Sequence, residues 1–151
     1  MCRRIEIAGS VRRRKNEDIK DVEVVAIPDN SKLSDLRDRV NGGLAGRVVM
    51  GPFPSKYTKL STAICNIDIF WVTPESWGLQ MLIRTGPAGF SARVLTYWKK
   101  ITDGGFSNGG ILHLSDSTIV PTPEEQDVFD ALERFGGKPC KFIPPEKRTE
   151  R

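Results

Sequence analysis

Three acidic residues and one small-residue motif carry the chemistry that this sequence suggests. Asp21 and Glu23 lie two residues apart in a run of aliphatic residues, and Asp68 interrupts a second apolar run. The motif Gly9-Ser10, followed by basic residues, stands upstream of the first pair. Carboxylates are hard oxygen ligands for divalent cations, and backbone N–H groups in a tight turn bind phosphate oxygens. Residues of these kinds in this order favour binding of a triphosphate together with Mg²⁺.

The three carboxylates are predicted to meet at one face of a sheet. Asp21 and Glu23 share a face of their strand because side chains alternate with period two. Two carboxylates side by side repel each other, which favours either exposure to solvent or a bound cation. The aliphatic residues around them indicate a buried strand, and a lone Asp68 in an apolar strand costs several kcal/mol unless it is paired or ligating. If the two strands are neighbours, the site holds one or two Mg²⁺ ions. A structural salt bridge is the alternative for each acid alone.

Basic residues crowd the N-terminal segment. The chain carries a net charge of +4, and its first fifteen residues contain a single acid, Glu6, against six basic residues: Arg3, Arg4, Arg12, Arg13, Arg14 and Lys15. A patch of this kind suits a polyanion such as nucleic acid or a triphosphate. A solvated basic face is the alternative.

Length and composition restrict the class of protein. At 151 residues the chain can bury a hydrophobic core without disulfides or a structural metal. Its longest apolar runs are only a few residues, so no membrane span or secretory signal is predicted. Cys2, Cys65 and Cys140 lack metal-ligand spacing and are interpreted as reduced thiols. A cytoplasmic protein is expected, and the sequence does not indicate its oligomeric state.

Hydrophobic periodicity predicts an α+β fold with a largely antiparallel or mixed sheet. Strands are predicted over residues 4–8, 21–28, 46–51, 57–63, 65–72, 111–114 and 117–120. Helices are predicted from an N-cap at Ser31 to Asn41, from Thr73 to Thr85, over residues 88–100, and from a capping box at Thr122 to Gly136. Residues 14–20 and 103–110 are predicted loops, and the last residues of the tail that follows Lys138 are expected to be disordered.

The motifs resemble a known family. The run from Ile5 to Arg13, followed by Asp21-Val22-Glu23, resembles the nucleotidyltransferase signature of family X DNA polymerases, the family of polymerase beta and its bacterial and viral relatives. Further motifs follow in the same order as in that family: Asp68 in a strand, Arg84-Thr85-Gly86 after a Thr-Pro-Glu helix start, a Pro-Thr-Pro-Glu-Glu helix, and a closing Pro144-Pro145-Glu146-Lys147-Arg148. The resemblance implies a nucleotidyltransferase palm over residues 1–74 and a nucleotide-selecting subdomain over residues 75–151.

The resemblance also implies roles for residues of the palm. Ser10 and Arg13 would contact the β- and γ-phosphates of the incoming nucleotide, with Gly9 allowing close approach. Asp21 and Glu23 would bind both metal ions. Asp68 would hold the catalytic metal and accept the proton of the primer 3′-hydroxyl.

Other residues are expected to bind the nucleotide and DNA. By resemblance, Arg84-Thr85-Gly86 would lie against the sugar, and the next helix would face the base and template through Ser91 and Arg93. The remaining basic residues expected to contact DNA are Arg12, Arg14 and Lys15.

The activity implied is that of a DNA polymerase. The protein would add deoxynucleotides to the 3′-hydroxyl of primed or gapped DNA with release of pyrophosphate, using Mg²⁺ or Mn²⁺. A role in repair or replication of a reduced, viral or phage-like system is expected, in which case the host cytoplasm is its location.

Three departures from the family pattern modify this expectation. Glu23 stands where polymerase beta-like enzymes usually have Asp, which predicts low activity or a shift towards Mn²⁺ because Mg²⁺ tolerates altered geometry poorly. Arg84 replaces the aromatic residue usual before Thr-Gly, which bears on sugar discrimination. The chain starts at the first palm strand, so no lyase activity is expected and template binding would depend on the basic patch.

Two rival functions stay open. A transferase of the same fold could move a nucleotide onto RNA, a protein hydroxyl or a small molecule. A catalytically weak DNA-end or nucleotide-binding module, acting through a partner, is the other rival, and Glu23 and the start of the chain at the first palm strand are the features that favour it.

Overall fold

The computed structural model describes residues 1–14, 19–42 and 46–150, which divide into two compact units, Met1–Val72 and Thr73–Arg151. The expected boundary was at residues 74/75. The described part of the first unit has strands β1 (Cys2–Ile7), β2 (Asp21–Pro28), β3 (Arg47–Met50), β4 (Tyr57–Ser61) and β5 (Asn66–Trp71), with helices α1 (Gly9–Arg12) and α2 (Leu33–Asn41). The described part of the second has helices α3 (Trp77–Thr85), α4 (Ala88–Ile101) and α5 (Glu125–Gly136), with strands β6 (Phe106–Asn108), β7 (Ile111–His113) and β8 (Ile119–Val120).

The first unit is built on a mixed sheet. Its strand order is β1-β2-β5-β4-β3, in which β2 and β5 run parallel and the other neighbours run antiparallel. Strands β2 and β5 are therefore interior strands, as their aliphatic residues predict. The expected α+β class with a mixed sheet is confirmed.

Helix α2 covers one face of this sheet. Leu36 and Val40 of α2 pack with Ala26, Leu60 and Ile69 in one buried cluster. Because side chains alternate along a strand, the residues on either side of Ala26 and Ile69 point to the opposite face. That opposite face carries the acidic residues of β2 and β5.

Two local predictions in the first unit need correction. The residues Gly9-Ser10 were expected to form a turn, and they instead begin the single helical turn α1. Ser31 does not cap α2, whose N-cap is Lys32 without a side-chain hydrogen bond. Ser31 instead lies in a 3₁₀ turn over Asn30–Lys32 ahead of α2, and the Asp29 carboxylate caps that turn by accepting a hydrogen bond from the Ser31 backbone N–H at 3.0 Å.

The second unit packs its helices around a separate core. Trp98, Leu79, Leu82, Leu112 and Phe129 are among its fully or almost fully buried side chains. Strands β6, β7 and β8 form a small antiparallel sheet, in that order.

Strand β6 lies inside the segment predicted as a loop. Asn108 pairs with Ile111, so Gly109 and Gly110 form a two-residue hairpin turn with φ of +60° and +81°. Glycine pairs favour this turn because both positions need positive φ. The prediction of a loop over residues 103–110 was therefore wrong at 106–108.

Helix α5 begins later than its sequence signature suggests. Glu124 is the N-cap, and its backbone N–H donates to Asp127 Oδ2 at 2.6 Å. The Thr122 hydroxyl was expected to cap α5, but it accepts a hydrogen bond from the Leu79 N–H at 3.2 Å, while the Thr122 carbonyl accepts from Gly78 N–H at 2.7 Å. Thr122 thus accepts hydrogen bonds from backbone N–H groups in the first turn of α3, and Glu124 is the N-cap of α5 instead.

The C-terminal tail is docked as far as Glu150, contrary to the expected disorder. The Arg148 side chain is fully buried and its Nη1 lies 2.8 Å from Glu125 Oε1 of α5. Its Nε donates to the Ile143 carbonyl at 2.9 Å, and its guanidinium lies over the Phe90 and Phe142 rings.

Among the described helices, none has both the length and the apolar character needed to cross a membrane.

Candidate functional site

The register of β2 and β5 places the three candidate carboxylates on one face of the first unit. Asp21 lies opposite Asn66, and Glu23 lies directly opposite Asp68. Neighbouring strands are about 4.8 Å apart, and residues in register project to the same face. Residues separated by 45 positions in the chain are thus neighbours in the sheet.

Strand β4 adds two polar side chains to the same face. Lys59 lies opposite Asp68, so that Glu23, Asp68 and Lys59 form a row across three adjacent strands, here named the Glu23–Asp68–Lys59 row. The Lys59 Nζ lies 3.6 Å from Asp68 Oδ1, and the Tyr57 hydroxyl donates to the same oxygen at 2.9 Å. The Asp68 side chain is only 14% exposed, so these contacts offset part of the cost of its burial.

Tyr57 and Lys59 are residues that sequence reasoning missed. Strand alternation already places them on one face of the predicted strand 57–63. The sequence does not reveal which strand lies beside β4, because pairing depends on contacts between distant segments. Tyr57 and Lys59 can therefore be recognised as residues of the candidate site only after β5 is known to be the neighbour of β4.

Glu23 lies against the start of α1. The Ala8 N–H donates to the Glu23 carbonyl at 2.8 Å, which holds the end of β1 beside β2. Gly9 has a φ of +66°, and a Cβ built on it would lie 2.1 Å from Glu23 Oε2. Glycine is therefore required at position 9 for two reasons: its backbone has a positive φ, and a side chain would collide with Glu23.

The donor types and the register of β2 and β5 fit a divalent cation. Within residues 1–14, 19–42 and 46–150, no group of three or more acidic, cysteine or histidine side chains is placed to hold a metal ion. Two of the candidate side chains make other contacts in this structure. The Glu23 carboxylate lies against Gly9, and the Asp68 carboxylate is held by Tyr57 and Lys59 of β4. The Lys59 ammonium group supplies one positive charge beside Asp68.

The other candidate residues of the first unit flank α1. Ser10 lies within α1, Arg12 is its last residue, and Arg13 follows as the C-cap. Arg14 is exposed and has a φ of +58°. Lys15, the remaining residue expected to contact DNA, lies outside the described residues.

In the second unit, the residues expected to face the sugar and base lie at the junction of α3 and α4. Thr85 and Gly86 are buried at the end of α3. Ser91 is also buried, and its hydroxyl donates to the Ile83 carbonyl at 3.3 Å. Arg84 donates through Nε to Gln80 Oε1 at 3.3 Å. The buried members of this set join the two helices in this structure.

Arg93 of α4 contacts the C-terminal tail. Its Nη1 donates to the Glu150 carbonyl at 2.6 Å and its Nη2 to the Thr149 carbonyl at 2.8 Å. The Glu150 carboxylate accepts a further hydrogen bond from the Gly89 N–H at 3.0 Å. The guanidinium expected to contact DNA thus binds the chain's own tail here.

The cysteines and the histidine give no sign of nucleophilic chemistry. Cys2, Cys65 and Cys140 are free, and burial raises the pKa of the Cys2 and Cys140 thiols, which disfavours the reactive thiolate. His113 lies in β7 and stacks on Phe106 at 4.8 Å between ring centroids. These contacts are structural.

Comparison with known proteins gives no family for this chain. No model of a known protein family matches the sequence, and no curated protein matches it either. The resemblance to family X polymerases therefore stays a hypothesis based on the motif residues.

Proposed function

We propose that this protein is a metal-dependent nucleotidyltransferase that adds deoxynucleotides to a DNA 3′-hydroxyl with release of pyrophosphate. The observation that carries the proposal is the register of β2 and β5, in which Glu23 lies opposite Asp68 and Asp21 follows on the same face. Three carboxylates on adjacent interior strands are an unusual arrangement, because like charges directly opposite each other destabilise a sheet. A function that uses their charge explains why they are there.

The proposed roles follow the chemistry of each group. Asp21, Glu23 and Asp68 would hold Mg²⁺ or Mn²⁺. When bound, the cations would lower the pKa of the attacking hydroxyl and neutralise charge on the leaving pyrophosphate. The Asp68 carboxylate would accept the hydroxyl proton, and Ser10 and Arg13 would bind phosphate oxygens by hydrogen bonds and charge. Phosphoryl transfer depends on such positioning and charge neutralisation rather than on covalent chemistry at the protein.

One observation favours a second candidate, a catalytically weak nucleotide- or DNA-end-binding module. The Glu23 and Asp68 carboxylates have different neighbours, Gly9 for the first and β4 for the second. If bound substrate does not reorient them, the protein would bind without reacting. The remaining candidate, a nucleotidyltransferase that uses an acceptor other than DNA, differs from the proposed DNA polymerase only in the acceptor that it labels.

The deciding experiment is a primer-extension assay. Primed and gapped DNA are incubated with each labelled deoxynucleotide and with Mg²⁺ or Mn²⁺, and RNA is supplied in parallel as an acceptor. We expect template-directed extension, with at least a hundredfold loss in the Asp68→Asn variant. Asp35→Asn is the matched control, because Asp35 is an exposed carboxylate on α2 of the same unit.

Each other outcome selects a different function. Labelling of RNA but not of DNA would assign the non-DNA transferase. Tight DNA binding without incorporation would assign the binding module. Equal extension by the wild type and Asp68→Asn would refute the role given to the carboxylates.

A further inference from the structure

We infer that Lys59 is a positioning residue that holds Asp68 in the metal-free protein and weakens the affinity of the carboxylate site for divalent cations. The inference rests on the proposed function, because it concerns the same site. It adds a residue from β4 that the motif comparison does not include.

The contacts of Asp68 are the first observation. The Lys59 ammonium at 3.6 Å and the Tyr57 hydroxyl at 2.9 Å both approach Oδ1. Neither contact uses Oδ2. Strand β4 thus fixes the direction of the carboxylate through Oδ1.

The register is the second observation. Lys59 and Asp68 are paired directly across the antiparallel strands β4 and β5, so the contact is set by the backbone ladder. The lysine and aspartate side chains are 29% and 14% exposed, respectively. The pair is partly exposed, so solvent screens part of its Coulomb energy. The register of β4 and β5 therefore keeps the Lys59 side chain close to Asp68.

Competition with a metal follows from these observations. A divalent cation that binds Asp68 must share the carboxylate with a lysine charge or displace it. A single and a double positive charge about 6 Å apart in water repel each other by about 1.4 kcal/mol, which corresponds to about a tenfold change in Kd. Removal of the lysine charge is therefore expected to strengthen metal binding about tenfold.

Direct titration of Mn²⁺ tests this without any need for catalysis. Free Mn²⁺ is followed by its paramagnetic resonance signal in the presence of the wild type, Lys59→Met, Lys59→Arg and Asp68→Asn. Lys56→Met is the matched control, because Lys56 is an exposed lysine that precedes β4. We expect about tenfold tighter binding in Lys59→Met, unchanged binding in Lys59→Arg and Lys56→Met, and weak binding in Asp68→Asn.

A kinetic readout distinguishes positioning from a general effect on folding. In the extension assay, the Mn²⁺ concentration for half-maximal rate is expected to fall in Lys59→Met. Turnover at saturating Mn²⁺ is expected to fall as well, because Asp68 has lost one of its two anchors. If Lys59→Met does not fold, as judged by circular dichroism, Lys59→Gln replaces it.

The outcomes separate the inference from the proposed function. If the wild type binds Mn²⁺, Asp68→Asn does not, and Lys59→Met binds no more tightly than the wild type, the inference is wrong and the metal site stands. If the wild type binds Mn²⁺ no better than Asp68→Asn, the carboxylate site and the inference are both rejected.

Discussion

The ion pair between Arg148 and Glu125 is expected to control the stability of the second unit. The Arg148 side chain is fully buried and Glu125 is 8% exposed, with 2.8 Å between Nη1 and Oε1. Removing one member of such a pair leaves the other charge buried without its partner, which costs about 3–5 kcal/mol. The Arg148→Met variant is therefore expected to lose about 4 kcal/mol of unfolding free energy.

Chemical denaturation measures this loss. With a urea m-value of about 2 kcal/mol/M, a loss of 4 kcal/mol lowers the midpoint by about 2 M. Tryptophan fluorescence, to which the buried Trp77 and Trp98 of the second unit contribute together with Trp71 of the first, reports unfolding alongside circular dichroism. The control is Arg134→Met, an exposed arginine of α5 whose loss is expected to cost less than about 1 kcal/mol.

A double variant separates lost charge pairing from lost packing. In Glu125→Met/Arg148→Met no charge is left behind, so most of the stability is expected to return, as it does when hydrophobic residues replace other buried pairs. The reasoning is refuted if Arg148→Met lowers the midpoint no more than Arg134→Met does. It is refuted as well if the double variant is less stable than Arg148→Met alone.

Two further outcomes follow from the first unit. Gly9→Ala is expected to lower the unfolding free energy by about 2–3 kcal/mol, because a side chain at a φ of +66° costs about 1–2 kcal/mol and would also displace the Glu23 carboxylate. In a Glu23→Ala background, the loss should shrink to the about 1–2 kcal/mol that comes from the backbone conformation. An equal loss in both backgrounds would contradict the contact between Gly9 and the Glu23 side chain. Hydrogen bonds from the Ser31 hydroxyl and N–H lower the pKa of Asp29 below its usual 3.8, so its stabilising effect is present above pH 3.8 and is lost as the pH falls through the lowered value. The stability difference between wild type and Asp29→Ala, measured by denaturation from pH 6 to pH 2, should therefore narrow only at the acidic end.

Much of the fold could be predicted because its signals are local. The aliphatic run around Glu23 and the apolar run around Asp68 predict interior strands, and both strands are interior in the sheet. The glycines after Phe135 predict the end of α5, where Gly137 is the left-handed C-cap. Each of these features depends on residues that are close together in the chain.

The features that could not be predicted depend on contacts between distant segments. Thr122 has the sequence of a helix cap, but the amides of α3 compete for its hydroxyl and carbonyl. Arg148 lies in a polar tail, and its ion pair with Glu125 of α5 depends on tertiary packing. In the candidate site, the types of the acidic residues could be read from the sequence. The orientation of Asp68 could not, because Tyr57 and Lys59 of β4 determine it.

In the proposed metal site, the Glu23–Asp68–Lys59 row would also couple the folding of the first unit to the concentration of divalent cations. Two negative side chains in register on neighbouring strands oppose strand pairing, and the positive side chain on the third strand offsets part of that repulsion. A cation that took over the role of the lysine would bind the folded sheet and not the open chain, so it would shift the equilibrium towards the folded form by mass action. The melting temperature of a protein without the lysine should accordingly rise with the concentration of dissolved Mn²⁺.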